Sequence, residues 1–129
     1  MGQQQLLLIL LGVIIVAIAL AVGLTLFQDS AVSANRDAIS NDLVALAVRA
    51  QQYYRKPSVF GGGQKSFNNL TLASLTTKPV NANGTYDLVS VGPGQVVITG
   101  TGVEKGDDGN SLLITLTVFP DSTAIVSNN

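Results

Sequence analysis

The chain has 129 residues, of which 47% are hydrophobic and 12% are charged, and its formal net charge is −1. That length allows one modest core and argues against several domains. The sequence contains neither cysteine nor histidine, which excludes disulfides, thiolate nucleophiles, the usual zinc sites and the usual general base. Lysine and arginine form no long run, which argues against nucleic-acid binding. We therefore expect a protein that is not an enzyme, with no cofactor, no metal site and no nucleic-acid partner.

The N-terminal part of the chain is apolar enough to enter a membrane. No ionisable side chain precedes Asp29, and residues 6–27 contain one polar residue, Thr25. As a helix this run spans about 33 Å, close to the hydrocarbon thickness of a bilayer. It fits a cleaved secretory signal, a permanent anchor, or a membrane-held helix that packs against copies of itself. Ala19-Leu20-Ala21 fits a signal cleavage site, but the run is long and no cation precedes it, which favours the other two interpretations.

A one-sided helical pattern follows the apolar run without a break. No proline occurs before Pro57, so the sequence predicts one helix from near residue 3 to about Tyr54. Its first part, residues 1–28, is apolar on all sides, and its continuation, residues 29–56, is amphipathic. The predicted stripe recurs at spacings of three, four and seven, and consists of Val32, Ile39, Leu43, Leu46, Ala50 and Tyr53.

Alternating hydrophobicity replaces the helical pattern towards the end of the chain. Residues 57–85 are predicted as a linker and loop region, with room for a short helix between 66 and 77. Residues 86–129 are predicted as an antiparallel sheet with strands at 86–91, 95–101, 111–119 and 123–127. The predicted fold class is α+β, with a long N-terminal helix packed on a small antiparallel sheet of about four strands. Residues 29–129 would form one globular head, with a threonine-rich sheet face exposed.

Several short motifs have simpler interpretations than functional sites. Gly61-Gly62-Gly63 lies near Lys65 but lacks the spacing of a phosphate-binding loop, so it predicts a flexible linker. Asp107-Asp108-Gly109-Asn110 lacks the alternating ligands of a calcium loop and predicts a hairpin turn. Asp29, Asp37 and Asp42 are predicted to lie on a solvated face or in pairs between subunits. Tyr53 and Tyr54, followed by two cations, predict packing at the end of the helix.

Two Asn-x-Thr sequons are candidate glycosylation sites if the head is displayed outside the cell. They begin at Asn69 and Asn83. The second also contains Asn83-Gly84, which is an ordinary turn dipeptide.

The start of the chain resembles the type IV pilin and pseudopilin superfamily. The resemblance lies in Met1-Gly2-Gln3-Gln4-Gln5-Leu6-Leu7-Leu8-Ile9 and the apolar run behind it, and in architecture it covers the whole chain. It implies a leader peptidase that cuts after a glycine, methylation of the new N-terminus, and pilus assembly machinery. Met1 and Gln3 are the candidates for that N-terminus. The family's glutamate, five residues into the mature chain, is replaced by Gln5 if Met1 leads and by Leu7 if Gln3 leads.

Small residues in the apolar helix are candidate assembly positions, because they allow identical helices to approach closely. With Gln5, they are Gly12, Ala17, Ala21 and Gly23. The expected protein is a structural subunit of an extracellular type IV pilus-like filament, a homopolymer of many identical subunits. It would be held in the inner membrane before assembly and displayed at the cell surface afterwards. The alternatives are a pseudopilin of a type II secretion-like system and a monomeric membrane-anchored binding domain.

Overall fold

The computed structural model describes residues 2–129 and begins with one long helix. This helix, α1, covers Gly2–Arg55 and confirms the predicted element. It is uninterrupted because the first proline is Pro57, and each internal glycine weakens a helix by only about 1 kcal/mol relative to alanine. The chain divides into two units, Met1–Ser33 and Ala34–Asn129. We call them the apolar unit and the head.

Four antiparallel strands form the sheet of the head, in the order β1-β2-β3-β4. Their number and their order along the chain match the prediction. The sequence pattern predicts that the second strand ends at Thr101. In the structure this strand continues to Lys105, and its pairing with the third strand is irregular between Thr101 and Lys105. The strands are β1 Gly84–Val91, β2 Val96–Lys105, β3 Ser111–Val118 and β4 Thr123–Ser127.

The core of the head lies between the second half of α1 and one face of the sheet. Helix residues buried there include Ile39, Leu43, Leu46 and Ala50, which confirms the centre of the predicted stripe. On the sheet, alternate side chains of β2 and β3 are buried on the face that packs against α1. They are Val96, Ile98, Leu112, Ile114, Leu116 and Val118. The opposite sheet face carries half-buried threonines: Thr99, Thr101, Thr115 and Thr117.

Two glycines of β2 let α1 lie directly on the sheet backbone. A Cβ at Gly100 would lie 2.5 Å from Ile39 Cγ2, and one at Gly102 would collide with Asn35 Oδ1. Real Cβ atoms do not approach other heavy atoms so closely. Glycine is therefore required at both positions by the close approach of the helix, not by backbone conformation.

The segment between α1 and β1 contributes to the core more than its sequence indicates. It contains a 3₁₀ turn, Ser58–Phe60, and a short helix, α2, at Leu72–Leu75. Its three buried apolar side chains are Phe67, Leu70 and Leu75. The ring of Phe67 lies 4.8 Å from that of Tyr54, with 38° between the ring planes. This contact confirms the predicted packing at the end of the helix.

The glycine run after α1 folds back onto the end of the helix. The amides of Gly63, Gln64 and Lys65 donate hydrogen bonds to the carbonyls of Tyr53, Lys56 and Tyr54, at 2.8, 3.0 and 2.7 Å. Tyr53 and Tyr54 belong to the last turn of α1, where carbonyls lack the regular helical partner four residues on, and Lys56 directly follows the helix. The run predicted as a flexible linker therefore forms the C-terminal cap of α1.

Candidate functional site

The apolar unit presents its side chains on every side of the helix. Each side chain from residue 2 to residue 30 is exposed. Within the part of the chain that the structure describes, α1 is the one helix long and apolar enough to cross a membrane. The hydroxyl of Thr25 donates a 3.0 Å hydrogen bond to the carbonyl of Ala21. The one polar side chain of the run is therefore satisfied within its own helix, which suits apolar surroundings.

The processing candidate Gln3 lies on this exposed helix. So do all the predicted assembly residues: Gln5, Gly12, Ala17, Ala21 and Gly23. Met1, the other candidate for N-terminal processing, lies outside the described residues. A Cβ added at Gly12 or Gly23 would meet no atom within 4 Å. Neither glycine is therefore needed for packing inside the subunit.

Helix geometry sorts the small residues onto two faces. At about 100° per residue, Gly12, Ala19 and Gly23 fall within roughly 40° of one another, as do Ala17 and Ala21. The centres of the two groups are about 160° apart by the same geometry. The helix therefore offers close approach to neighbours on two nearly opposite sides.

In the head, the carboxylate of Asp42 is the centre of a cluster of polar side chains. Its Oδ2 atom accepts hydrogen bonds from the amides of Asn81 and Asn83, both at 3.0 Å, and from the hydroxyl of Tyr86 at 2.5 Å. The sequence predicts that Asp42 lies on a solvated face or in a pair between subunits; the structure instead gives it three partners within its own head, although the residue is only half-buried. A cavity of about 150 Å³ adjoins this cluster, and Arg49 also lines it.

The electrostatics of this cluster favour the ionised carboxylate. Burial raises the pKa of Asp42, but the hydrogen bonds from Tyr86, Asn83 and Asn81 outweigh burial and hold the pKa below its ordinary value of 3.8. Burial and the adjacent carboxylate raise the pKa of Tyr86 well above its ordinary value. The cluster therefore joins α1 to the start of β1 through hydrogen bonds to an ionised carboxylate.

The two sequons have different environments. Asn83 is half-buried, and its side-chain nitrogen donates to Asp42, while its carbonyl accepts from Asn35 at 2.8 Å. Asn69 is exposed and adopts a left-handed backbone with φ 66°. The nitrogen that would carry a glycan is therefore accessible at Asn69 and engaged at Asn83.

Two polar residues that hold the head together are absent from the sequence predictions. Asn35 is buried in α1, and it donates to the carbonyl of Asn83 and accepts from the amide of Glu104 at 3.2 Å. Its position four residues before Ile39, on the buried stripe, is the signal that could have revealed it. The carbonyl of Asn129 accepts from Arg36 at 2.9 Å, and its side chain accepts from the amide of Leu113 at 2.8 Å. No local pattern indicates these last contacts.

The chain matches no protein-family model, no curated protein and no solved structure.

Proposed function

We propose that this protein is a structural subunit of a type IV pilus-like filament at the cell surface. Its apolar unit would lie in the inner membrane before assembly. Afterwards it would pack with the apolar units of many identical subunits to form the filament core. The heads would form the outer layer of that filament.

The observation that carries this proposal is the complete exposure of the apolar unit. Sixteen large apolar side chains between residues 6 and 27 are each about half exposed or more. At about 1 kcal/mol or more for each, leaving them in water would cost more than the roughly 5–15 kcal/mol that stabilises a typical domain. This unit therefore requires lipid or other protein chains around it.

The two faces of small residues favour assembly over simple anchoring. Lipid tails and neighbouring helices are equally apolar, so helices associate in membranes mainly through close packing. A helix that accepts neighbours on two nearly opposite sides can form head-to-tail contacts that do not close on themselves. Such contacts generate open helical polymers. A monomeric anchor needs neither face.

The test is electron microscopy of material sheared from cells, combined with intact mass spectrometry of the subunit. We expect thin filaments that contain this chain. The mass would identify Met1 or Gln3 as the N-terminus, and would reveal methylation and any glycan, which we expect on Asn69. If the chain stays in the membrane fraction and no filaments are shed, a surface pilus is excluded and a pseudopilin or an anchored domain becomes the better proposal.

Matched substitutions separate assembly from membrane anchoring. Ala21→Leu and Gly23→Leu add bulk to the two small-residue faces, whereas Val22→Leu adds little bulk between them. We expect the first two to reduce filament yield at least tenfold while membrane insertion is unchanged, because added bulk prevents close helix approach. We expect Val22→Leu to assemble like the parent. Equal assembly of all three variants would contradict packing through these faces.

A further inference from the structure

The 3₁₀ turn after α1 exposes two adjacent apolar side chains. Val59 is 89% exposed and Phe60 is 70% exposed. No other large apolar side chain in the described part of the head is exposed to the same degree. Phenylalanine is usually buried in a folded domain, so its exposure here indicates a contact surface.

Hydrogen bonds hold this turn in place. The amides of Phe60 and Gly62 both donate to the carbonyl of Pro57 at 3.1 Å, and the amide of Gly61 donates to that of Ser58 at 3.0 Å. Gly61 has φ +83°, a conformation that glycine adopts without strain. The backbone of the turn is therefore already ordered, and the side chains of Val59 and Phe60 are exposed to solvent.

The sequence on both sides of the turn is basic. Residues 43–86 contain five lysine or arginine residues and no aspartate or glutamate, although the whole chain has a net charge of −1. The cap brings Lys65 beside Arg55 and Lys56, because the amide of Lys65 bonds to the carbonyl of Tyr54. Arg55 pairs with Asp121 at 3.6 Å. Lys56 and Lys65 are exposed, and neither forms an ion pair within residues 2–129.

We propose that this basic tip, consisting of Lys56, Val59, Phe60 and Lys65, binds the surface of an anionic lipid membrane. Val59 and Phe60 enter the boundary between headgroups and acyl chains, and the two lysines contact lipid phosphates. Aromatic and aliphatic side chains flanked by cations are the combination that favours this interface. Each lysine near an anionic surface adds to the attraction.

The size of the tip favours lipid over a second copy of the chain. A stable interface between two proteins buries about 800 Å² on each partner, whereas a phenylalanine contributes about 150–250 Å². Two apolar side chains on a three-residue turn fall short of that area. A lipid surface takes up isolated apolar side chains without a complementary groove, so it needs no such area.

The test uses the full chain in nanodiscs of phosphatidylcholine, in which the apolar unit is already in lipid. The natural chain has no cysteine, so Val59→Cys can be labelled specifically with the polarity-sensitive dye NBD. We expect a blue shift and stronger emission when vesicles of 70% phosphatidylcholine and 30% phosphatidylglycerol are added. We expect no change with pure phosphatidylcholine vesicles, because the attraction is electrostatic. The same dye at Asp107→Cys, an exposed residue of the β2–β3 turn, should not respond.

Matched substitutions identify the side chains responsible. In the labelled protein, we expect Phe60→Ser to weaken the apparent affinity for anionic vesicles about tenfold. The pair Lys56→Gln and Lys65→Gln should weaken it by a similar factor, whereas Lys56→Arg and Lys65→Arg should retain it. Val103→Ser removes another exposed apolar side chain and should have no effect. Circular dichroism would verify that each variant is folded.

Two results would overturn the proposal. One is an unchanged emission spectrum at Val59→Cys with anionic vesicles. The other is a blue shift that depends on protein concentration alone, without vesicles, which would assign the tip to a second copy of the chain. Because the assay uses subunits in discs, its outcome does not depend on filament formation.

Discussion

At the scale of single residues, Asp42 joins α1 to the start of the sheet. Its three hydrogen bonds come from residues about forty positions further along the chain. A hydrogen bond to a charged group contributes roughly 1.5–3 kcal/mol when it is well shielded. Asp42 is half-buried, so we expect a value near the lower end for each bond.

Tyr86→Phe tests this connection. We expect the free energy of unfolding to fall by about 1–2 kcal/mol at pH 7, because the carboxylate loses a donor. The folded pKa of Asp42 lies below 3.8, so its stabilisation is present above that pH and is lost as pH falls through the folded pKa. The difference between the parent and Tyr86→Phe should therefore shrink below about pH 4.

Urea denaturation of the head in a mild detergent, at pH 7 and pH 3, would measure this difference. Tyr53→Phe is the matched control, because its hydroxyl donates to the uncharged carbonyl of Asn68 at 2.9 Å. The effect of Tyr53→Phe should not depend on pH in this range. A pH-independent effect of Tyr86→Phe would contradict the role assigned to Asp42.

Gly100 tests the contact between helix and sheet. We expect Gly100→Ala to lower the free energy of unfolding by about 1–3 kcal/mol, because the new Cβ would collide with Ile39 and press on the ring of Tyr86. Gly94→Ala is the control, since a Cβ there would meet nothing within 4 Å. Thermal unfolding of both variants would measure the difference, and equal melting temperatures would show that α1 lies further from β2.

At the scale of elements, the hydrogen bonds that cap α1 predict that the glycine run after the helix is folded and is not a flexible linker. Hydrogen–deuterium exchange should show protected amides at Gly63, Gln64 and Lys65, because each donates to a carbonyl in or directly after the last turn of α1. Gly63→Ala should remove that protection, because its Cβ would collide with the carbonyl of Ser66. Exchange in the parent as fast as in an unstructured peptide would show that the glycine run is a linker after all.

At the scale of the whole molecule, the two units differ in how much apolar side-chain surface they bury. The head buries its apolar stripe against its own sheet, whereas the apolar unit buries none of its large side chains. We expect a chain consisting of residues 29–129 to be soluble and monomeric, with the circular dichroism of a mixed α and β protein. We expect the full chain to require detergent or lipid. Size-exclusion chromatography would measure both, and aggregation of the shortened chain would contradict an independent head.

Local patterns were sufficient to predict the elements. Helices and strands follow from the spacing of apolar residues, which depends on near neighbours in sequence. The stripe from Ile39 to Ala50 and the alternation in β3 both appear in the structure as predicted. The candidate assembly positions were also readable, because small residues within an apolar helix are visible in the sequence. Their role in a filament stays a prediction.

Local sequence patterns predict the long helix, the four antiparallel strands and the run that is apolar enough to cross a membrane. Three contacts follow from the folded chain alone: Asp42 meets Tyr86, α1 packs on β2 where Gly100 lies beneath Ile39, and Lys65 bonds to the end of α1. Local patterns do not predict them because the partners are far apart in sequence or lie in irregular loops. The periodicity of apolar residues depends on near neighbours in the sequence. These contacts instead join groups that meet only when the end of the helix, the loop and the sheet pack against one another.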